Sequence, residues 1–63
     1  MTKGKIVKIS SFISAFNDVG DMHELSPGDS VLVLDSDIYD TTFLSYGIIL
    51  YCHTRRLEES IQR

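Results

Sequence analysis

A proline–glycine–aspartate turn followed by an unbroken apolar run constrains this chain more than any other stretch of its sequence. The only proline, Pro27, precedes Gly28 and Asp29, and the apolar residues 31–34 follow. Because proline fixes one backbone angle and glycine permits angles that other residues avoid, this segment predicts a turn. A short run of valine and leucine that does not alternate with polar residues predicts a strand buried on both faces. The stretch therefore predicts a turn that leads into a central strand.

The length and composition restrict the chain to one small domain. Its 63 residues predict a single domain, residues 1–63, whose core is small. The one cysteine, Cys52, cannot form a disulfide within a monomer, which favours a reducing compartment. No apolar run has the length of a membrane-spanning helix, and Lys8 interrupts the apolar part of the N-terminal segment. We therefore expect a cytoplasmic chain without a removable leader, which binds no membrane and associates with itself or with another protein.

The segment from residue 5 to residue 19 fits two kinds of secondary structure. Residues 5–9 predict a strand, which we favour as far as Ala15 or Phe16 with a bulge at Ser10 and Ser11, because β-branched and aromatic residues dominate. A helix over residues 11–19 is the alternative. Four apolar residues fall at the i, i+3, i+4 and i+7 positions of one helical face: Ile9, Phe12, Ile13 and Phe16.

The remaining patterns complete a mostly β fold. Residues 17–27 are rich in turn formers and predict a polar loop. Residues 41–53 are β-branched and aromatic, so they predict the longest β segment, with Gly47 as a bulge, a bend or the pivot between two strands. The spacing of Leu57 and Ile61 predicts a short helical turn near the C-terminus.

Charge is separated along the sequence. Every charged residue before residue 18 is a lysine, and every charged residue from 18 to 40 is acidic. The acids either cap solvated turns or form a face that binds a basic partner. Most of the six aromatic residues should be in the core, and Tyr39, which lies among acids, is the one that we first expect to be exposed. The predicted partner-binding residues are Asp18, Asp21, Glu24, Asp35, Asp37, Tyr39 and Asp40.

The motifs that carry chemistry in other proteins are incomplete in this chain. His23 and Glu24 begin like a His-Glu-x-x-His zinc helix, but Pro27 stands where the second histidine is needed. Cys52 and His53 are neighbours on a predicted strand, so they should point to opposite faces, which separates the thiol from a base. The acidic residues lack the glycine and glutamate positions of an EF-hand loop. We therefore expect no catalytic site, no metal and no cofactor, and a protein that is not an enzyme.

The order of turn and strand resembles that of small Src-homology-three-like barrels and their KOW relatives. Gly28 and Asp29, followed by Val31 and Val33, are similar to the Gly-Asp-x-Val-x-Val opening of a KOW motif, and residues 46–49 stand for its later Gly-x-Val. The resemblance covers residues 15–61 and implies a five-stranded barrel. The chain has no tryptophan and no Pro-x-Asn-Tyr element, so the resemblance does not imply a proline-rich ligand.

Two functions follow from these expectations. The first is a non-catalytic protein–protein interaction module, an accessory or inhibitory subunit similar to small phage-encoded proteins, which binds a partner or itself through acidic loops and an edge strand. The alternative is a KOW-like nucleic-acid-associated domain of transcription or translation, although the acidic middle of the chain disfavours nucleic acid as a partner. The nucleic-acid-binding residues under this alternative are Lys3, Lys5, Lys8, Arg55 and Arg56.

Overall fold

The structure is a computed structural model that describes residues 1–61 of the chain. It contains six antiparallel strands and one short helix, which confirms the prediction of a mostly β domain. The elements in chain order are β1 (Ile6–Lys8), β2 (Ile13–Phe16), β3 (Met22–Leu25), β4 (Ser30–Ser36), β5 (Asp40–Ser45), β6 (Ile48–His53) and α1 (Thr54–Glu59). Within the described residues, no helix is long and apolar enough to cross a membrane.

The six strands form one open sheet in the order β1-β4-β5-β6-β2-β3, so β1 and β3 are its edges. The predicted five-stranded barrel is therefore wrong in two respects, because the sheet has a sixth strand and is not closed. A single hydrophobic cluster receives side chains from every strand and from α1. Since the inner face of one twisted sheet has to cover this cluster, the sheet coils around it. The resulting molecule measures 31 × 22 × 20 Å.

The proline–glycine turn and the strand after it lie where they were predicted, with one correction. Gly28 has a φ of 98°, which favours glycine, and its backbone N–H donates to the Ile9 carbonyl oxygen at 2.8 Å. β4 lies between β1 and β5 in the sheet. Val31 and Val33 are buried, whereas Leu32 between them is half-buried on the outer side. The strand is therefore buried on its inner face, and its outer face is only partly covered.

The ambiguous N-terminal segment forms two strands, and the helical alternative is wrong. Ile9 is fully buried and forms an isolated antiparallel bridge with Ile61, whereas Phe12 is 67% exposed. Burial then alternates along β2, which places Ile13 in the core and directs Phe16 outward. The apolar residues that were spaced for one helical face therefore do not share a face. The two strands are separated by a break at residues 9–12 and not by a single bulge.

The edge strand β3 lies inside the segment that was predicted to be a loop. The Asn17 side chain closes the β2–β3 hairpin, because its Oδ1 accepts hydrogen bonds from the backbone N–H groups of Asp21 at 2.8 Å and Val19 at 3.1 Å. Leu25 at the end of β3 is buried, but Met22 at its start is 62% exposed. The prediction of a loop is therefore wrong. The sequence does not reveal β3, because its two polar residues stand together between two apolar ones and give no two-residue alternation.

The long C-terminal β segment divides into a hairpin at Gly47, which was one of the predicted alternatives. Tyr46 has a φ of 50° and Gly47 a φ of 77°, and two successive positive values are typical of a tight hairpin turn. The predicted helical turn is confirmed as α1, but it begins at Thr54 and ends at Glu59. The helix contributes the fully buried side chain of Leu57 to the core.

Candidate functional site

The outer face of the sheet carries a row of exposed apolar side chains that reaches the edge strand β3. Met22 pairs with Phe16, and Phe16 pairs with Tyr51. Directly opposite residues in antiparallel strands point to the same side, so these three side chains lie next to one another. They are 62%, 36% and 42% exposed, and the ring centroids of Phe16 and Tyr51 are 6.2 Å apart. We call Met22, Phe16 and Tyr51 the apolar row.

A second row of outward side chains lies two residues further along the same strands. Glu24 pairs with Ser14, and Asp40 pairs with His53. Ser14 and His53 line the same groove, so the two pairs are neighbours on the outer face. The Nδ1 atom of His53 is 3.7 Å from Oδ1 of Asp40, and both side chains are exposed. We call Glu24, Ser14, His53 and Asp40 the polar row.

Two grooves flank the junction between β2 and β6, where Phe16 and Tyr51 form the single paired position. The first groove, of about 410 Å³, is lined by Ser14, His53 and Asp40 of the polar row and also by Arg56. The second, of about 650 Å³, is lined by Asp18, Ile49 and Tyr51, among others. Tyr51 lines both grooves and Phe16 lines the first, so the aromatic end of the apolar row forms the ridge between them. The surface therefore offers an exposed aromatic ridge with a groove on each side.

Three of the acidic residues predicted to bind a partner lie beside this surface. Asp18 and Asp21 lie in the β2–β3 turn, and Glu24 lies on β3. All three are exposed, and within residues 1–61 their carboxylates form neither hydrogen bonds nor ion pairs. Their charges are therefore available to a partner that approaches β3.

The other predicted acidic residues lie at the β4–β5 turn, where their oxygens are partly occupied by the turn itself. The Asp37 carboxylate accepts hydrogen bonds from the backbone N–H groups of Asp40 at 2.8 Å and Tyr39 at 2.7 Å, and these bonds lower its pKa. Asp35 accepts one from the N–H of Ser36 at 3.0 Å. Asp40 faces His53 in the polar row. Asp35 and Asp37 therefore match the interpretation of acids that cap a solvated turn.

The aromatic residues are far more exposed than the sequence suggested. Tyr39 is 70% exposed, which confirms its prediction, but only Phe43 of the six aromatic residues is buried. The expectation that most of them are core residues is wrong. Phe16 and Tyr51 were missed as surface residues, although the polar residues Ser14 and His53, each two positions away on the same strand, are a signal that both face outward.

The basic residues lie in two regions of the molecule. Lys3, Lys5 and Lys8 lie on or before the edge strand β1, whereas the two arginines lie on α1. Lys5 lines a groove together with Glu58, and the Nε of Arg55 is 3.8 Å from Oε1 of Glu59. Arg56 instead lines the groove along the polar row.

The sheet separates the thiol of Cys52 from the imidazole of His53. Cys52 is buried on the inner face and His53 is exposed on the outer face, as their spacing predicted. Burial raises the pKa of the Cys52 thiol to about 11, while the nearby Arg56 lowers it and Asp40 raises it. Among residues 1–61, no group of three or more His, Cys, Asp or Glu side chains is placed to hold a metal ion.

Comparisons of the chain with protein-family models, with curated proteins and with solved structures give no match. A functional assignment therefore depends on the residues and geometry of the surface. The similarity to Src-homology-three-like and KOW domains stays a prediction.

Proposed function

We propose that this protein is a non-catalytic protein-binding module, an accessory or inhibitory subunit that binds its partner through β3 and the acidic residues beside it. The observation that carries the proposal is the apolar row, which runs across three strands to an edge of the sheet. Met22, Phe16 and Tyr51 are of the residue types that are enriched at the centres of protein interfaces. Contiguous exposed apolar side chains with a polar surround are a mark of such sites.

The size and charge of the chain support the same function. A domain of 63 residues has a small core, so association adds buried area that the monomer lacks. The net charge is −3, and three unpaired carboxylates flank the apolar row, which favours a partner with a basic surface. A cytoplasmic location and a distant relationship to Src-homology-three-like domains are further parts of the proposal. The free Cys52 supports the first, and the coiled antiparallel sheet supports the second.

Affinity capture with matched variants tests the proposal. Met22→Asp places a charge in the apolar row at a side chain that contributes little to the core. Phe12→Asp is the control, because Phe12 is 67% exposed, much like Met22, and lies outside the apolar row. We expect one protein to be retained by the wild type and by Phe12→Asp, and to be lost with Met22→Asp.

Two results would contradict the proposal. Equal capture by all three proteins would show that the apolar row does not bind the partner. Retention of RNA or DNA at low salt, lost when Lys3, Lys5 and Lys8 are changed to Gln, would instead support the KOW-like alternative.

A further inference from the structure

We propose that β3 binds an extended basic segment of a partner protein as a seventh strand, in which an apolar residue and a lysine or arginine are two positions apart. This inference rests on the proposed function and specifies the chemistry of the partner. It combines three observations, which are the open backbone edge of β3, the two rows that end there, and the charge around them.

The backbone of β3 is available for pairing. β3 pairs with β2 on one side, and among residues 1–61 no backbone segment pairs with its other side. Natural edge strands are commonly protected by lysine, proline or a bulge, none of which Met22–Leu25 contains, and also by short length and charged side chains. β3 has four residues and carries Glu24, so a strand that pairs with it needs a positive charge. The other edge differs, because β1 ends in Lys8 and the chain just after it is bridged to Ile61. The open backbone edge of β3 therefore suits a partner strand that carries a positive charge.

The two rows determine which side chains the added strand needs. A strand paired with β3 places one residue opposite Met22 and another opposite Glu24, and both point to the outer face because they are two positions apart. The residue opposite Met22 extends the apolar row of Phe16 and Tyr51, so it should be apolar. The residue opposite Glu24 extends the polar row and meets an unpaired carboxylate, so it should be a lysine or arginine.

The negative charge around β3 favours a different protein over a second copy of this chain as the partner. Asp18, Asp21 and Glu24 are negative and exposed, and β3 itself carries no lysine or arginine. Pairing of β3 with the β3 strand of a second copy brings these acids together, which like-charge repulsion disfavours. A basic segment of a different protein can form backbone hydrogen bonds with the same edge of β3 without this repulsion.

Peptide binding monitored by amide chemical shifts tests the inference. The probe is the peptide Thr-Lys-Thr-Val-Thr-Lys-Thr, which carries the apolar and basic spacing in both chain directions. We expect shifts of the β3 amides at millimolar peptide, and binding at least several-fold weaker with Glu24→Lys. The control variant Glu58→Lys changes an exposed acid on α1 and should bind like the wild type.

Three altered peptides separate the contributions. Replacing both lysines by glutamate should abolish binding to the wild type and restore it to Glu24→Lys. Moving each lysine next to the valine puts the two side chains on opposite faces and should weaken binding several-fold. N-methylation of every peptide nitrogen removes all backbone donors while keeping the side chains, so it should abolish binding.

Four outcomes would overturn the inference. They are shifts confined to residues outside β3, equal binding of the lysine and glutamate peptides, full binding of the N-methylated peptide, and an oligomer of the wild type that is lost with Lys8→Glu. The last would identify the occupant as β1 of a second copy. If Met22→Asp abolishes capture of a partner but no peptide shifts β3, the proposed function stands and strand addition is wrong.

Discussion

The hydroxyl group of Tyr46 donates a hydrogen bond to the Asp29 carboxylate, with 2.8 Å between the two oxygens. The bond joins the β5–β6 turn to the proline-containing turn that precedes β4. The other oxygen of Asp29 accepts a hydrogen bond from the backbone N–H of Ser26 at 2.8 Å. These bonds, the one from Ser26 foremost, lower the pKa of Asp29, and the same contact with Asp29 raises the pKa of Tyr46. The turn that organises the sequence is thus held by its own backbone and by a neighbouring hairpin.

Removal of the Tyr46 hydroxyl should make the melting temperature fall less steeply as the pH is lowered into the acid range. Because the pKa of Asp29 is lower in the folded chain than its ordinary value of 3.8, Asp29 stabilises the fold above that pH and loses this contribution as the pH falls through the folded-state value. Tyr46→Phe should therefore lower the melting temperature slightly at neutral pH, and the difference from the wild type should shrink in acid. Thermal melts between neutral pH and strong acid measure it.

The alkaline limb and a control complete this test. The raised pKa of Tyr46 means that its contribution is complete below its ordinary value of 10.0 and is lost as the pH rises through the folded-state value. Tyr39→Phe is the control, because Tyr39 is similarly exposed and its hydroxyl forms no hydrogen bond within residues 1–61. A difference between Tyr46→Phe and the wild type that stays constant at every pH would contradict the role of Asp29.

Val33→Asp should unfold the domain. Val33 is fully buried at the centre of β4, and a carboxylate without a partner costs several kcal/mol in such a place. That cost is comparable with the whole stability of a small domain. Circular dichroism during heating should show no cooperative transition. Val19→Asp, at a residue that is 74% exposed, should melt like the wild type, and a cooperative melt of Val33→Asp would mean that the centre of the core lies elsewhere.

The sequence predicts those parts of the fold in which the conformational preference of the residues matches the structure that their burial requires. Gly28 takes a backbone conformation that few other residues adopt, and the runs that became β4, β5 and β6 consist mainly of β-branched, leucine and aromatic residues. β3 escapes prediction because its two polar central residues match neither the strand nor the helix period. Its position is determined by the Asn17 turn and by pairing with β2, which is tertiary information.

The candidate site is less predictable than the fold because it depends on register between distant strands. The polar residues Ser14 and His53, two positions from Phe16 and Tyr51, indicate that both aromatic side chains face outward, but they do not show that the two are neighbours. Their contact follows from one paired position between β2 and β6, and the contact with Met22 follows from the β2–β3 register. The acidic residues predicted to bind a partner are exposed, as expected. The sequence does not show which of them face a partner and which cap a turn, because that distinction depends on hydrogen bonds such as those of Asp37.

A chain of hydroxyl groups centred on the buried Thr41 links β4, β5 and α1. The Oγ1 atom of Thr41 is 2.8 Å from Oγ of Ser36 and 2.9 Å from Oγ1 of Thr54, and Thr54 donates to the Asp37 carbonyl oxygen at 2.7 Å. Since each hydroxyl carries one hydrogen, Thr41 has to donate to Thr54, and Ser36 has to donate to Thr41. Thr41 is therefore the central member: its bond to Thr54 is buried, and its bond to Ser36 is partly buried.

Thr41→Val should lower the free energy of unfolding by about 1–3 kcal/mol, because valine keeps the shape of threonine and removes both hydrogen bonds. Urea titration followed by circular dichroism measures this loss. Thr42→Val is the control, since Thr42 is half-buried and points to the outer face. If Thr41→Val unfolds at the same urea concentration as the wild type, the hydroxyl chain contributes no net stability.

The Cys52 thiol should react slowly in the folded protein. Burial raises its pKa from the ordinary 9.0 to about 11, and the thiolate is the reactive form, so the smaller thiolate fraction alone slows reaction about a hundredfold near neutral pH. A raised pKa stabilises the fold below 9.0, and this contribution is lost as the pH rises through about 11. The rate of thiol labelling in native buffer, compared with the rate in denaturant, measures the protection.

Two charge variants show whether the electrostatic surroundings of the thiol act as the geometry indicates. Arg56 lowers the pKa of Cys52 and Asp40 raises it, so Arg56→Gln should slow labelling further and Asp40→Asn should speed it. Both side chains are exposed, so neither change removes core packing. Opposite effects of the two variants would identify the thiolate fraction as the rate-determining quantity. Equal labelling rates in the wild type and both variants would mean that transient opening of β6 controls access, and that the pKa of the folded thiol does not set the rate.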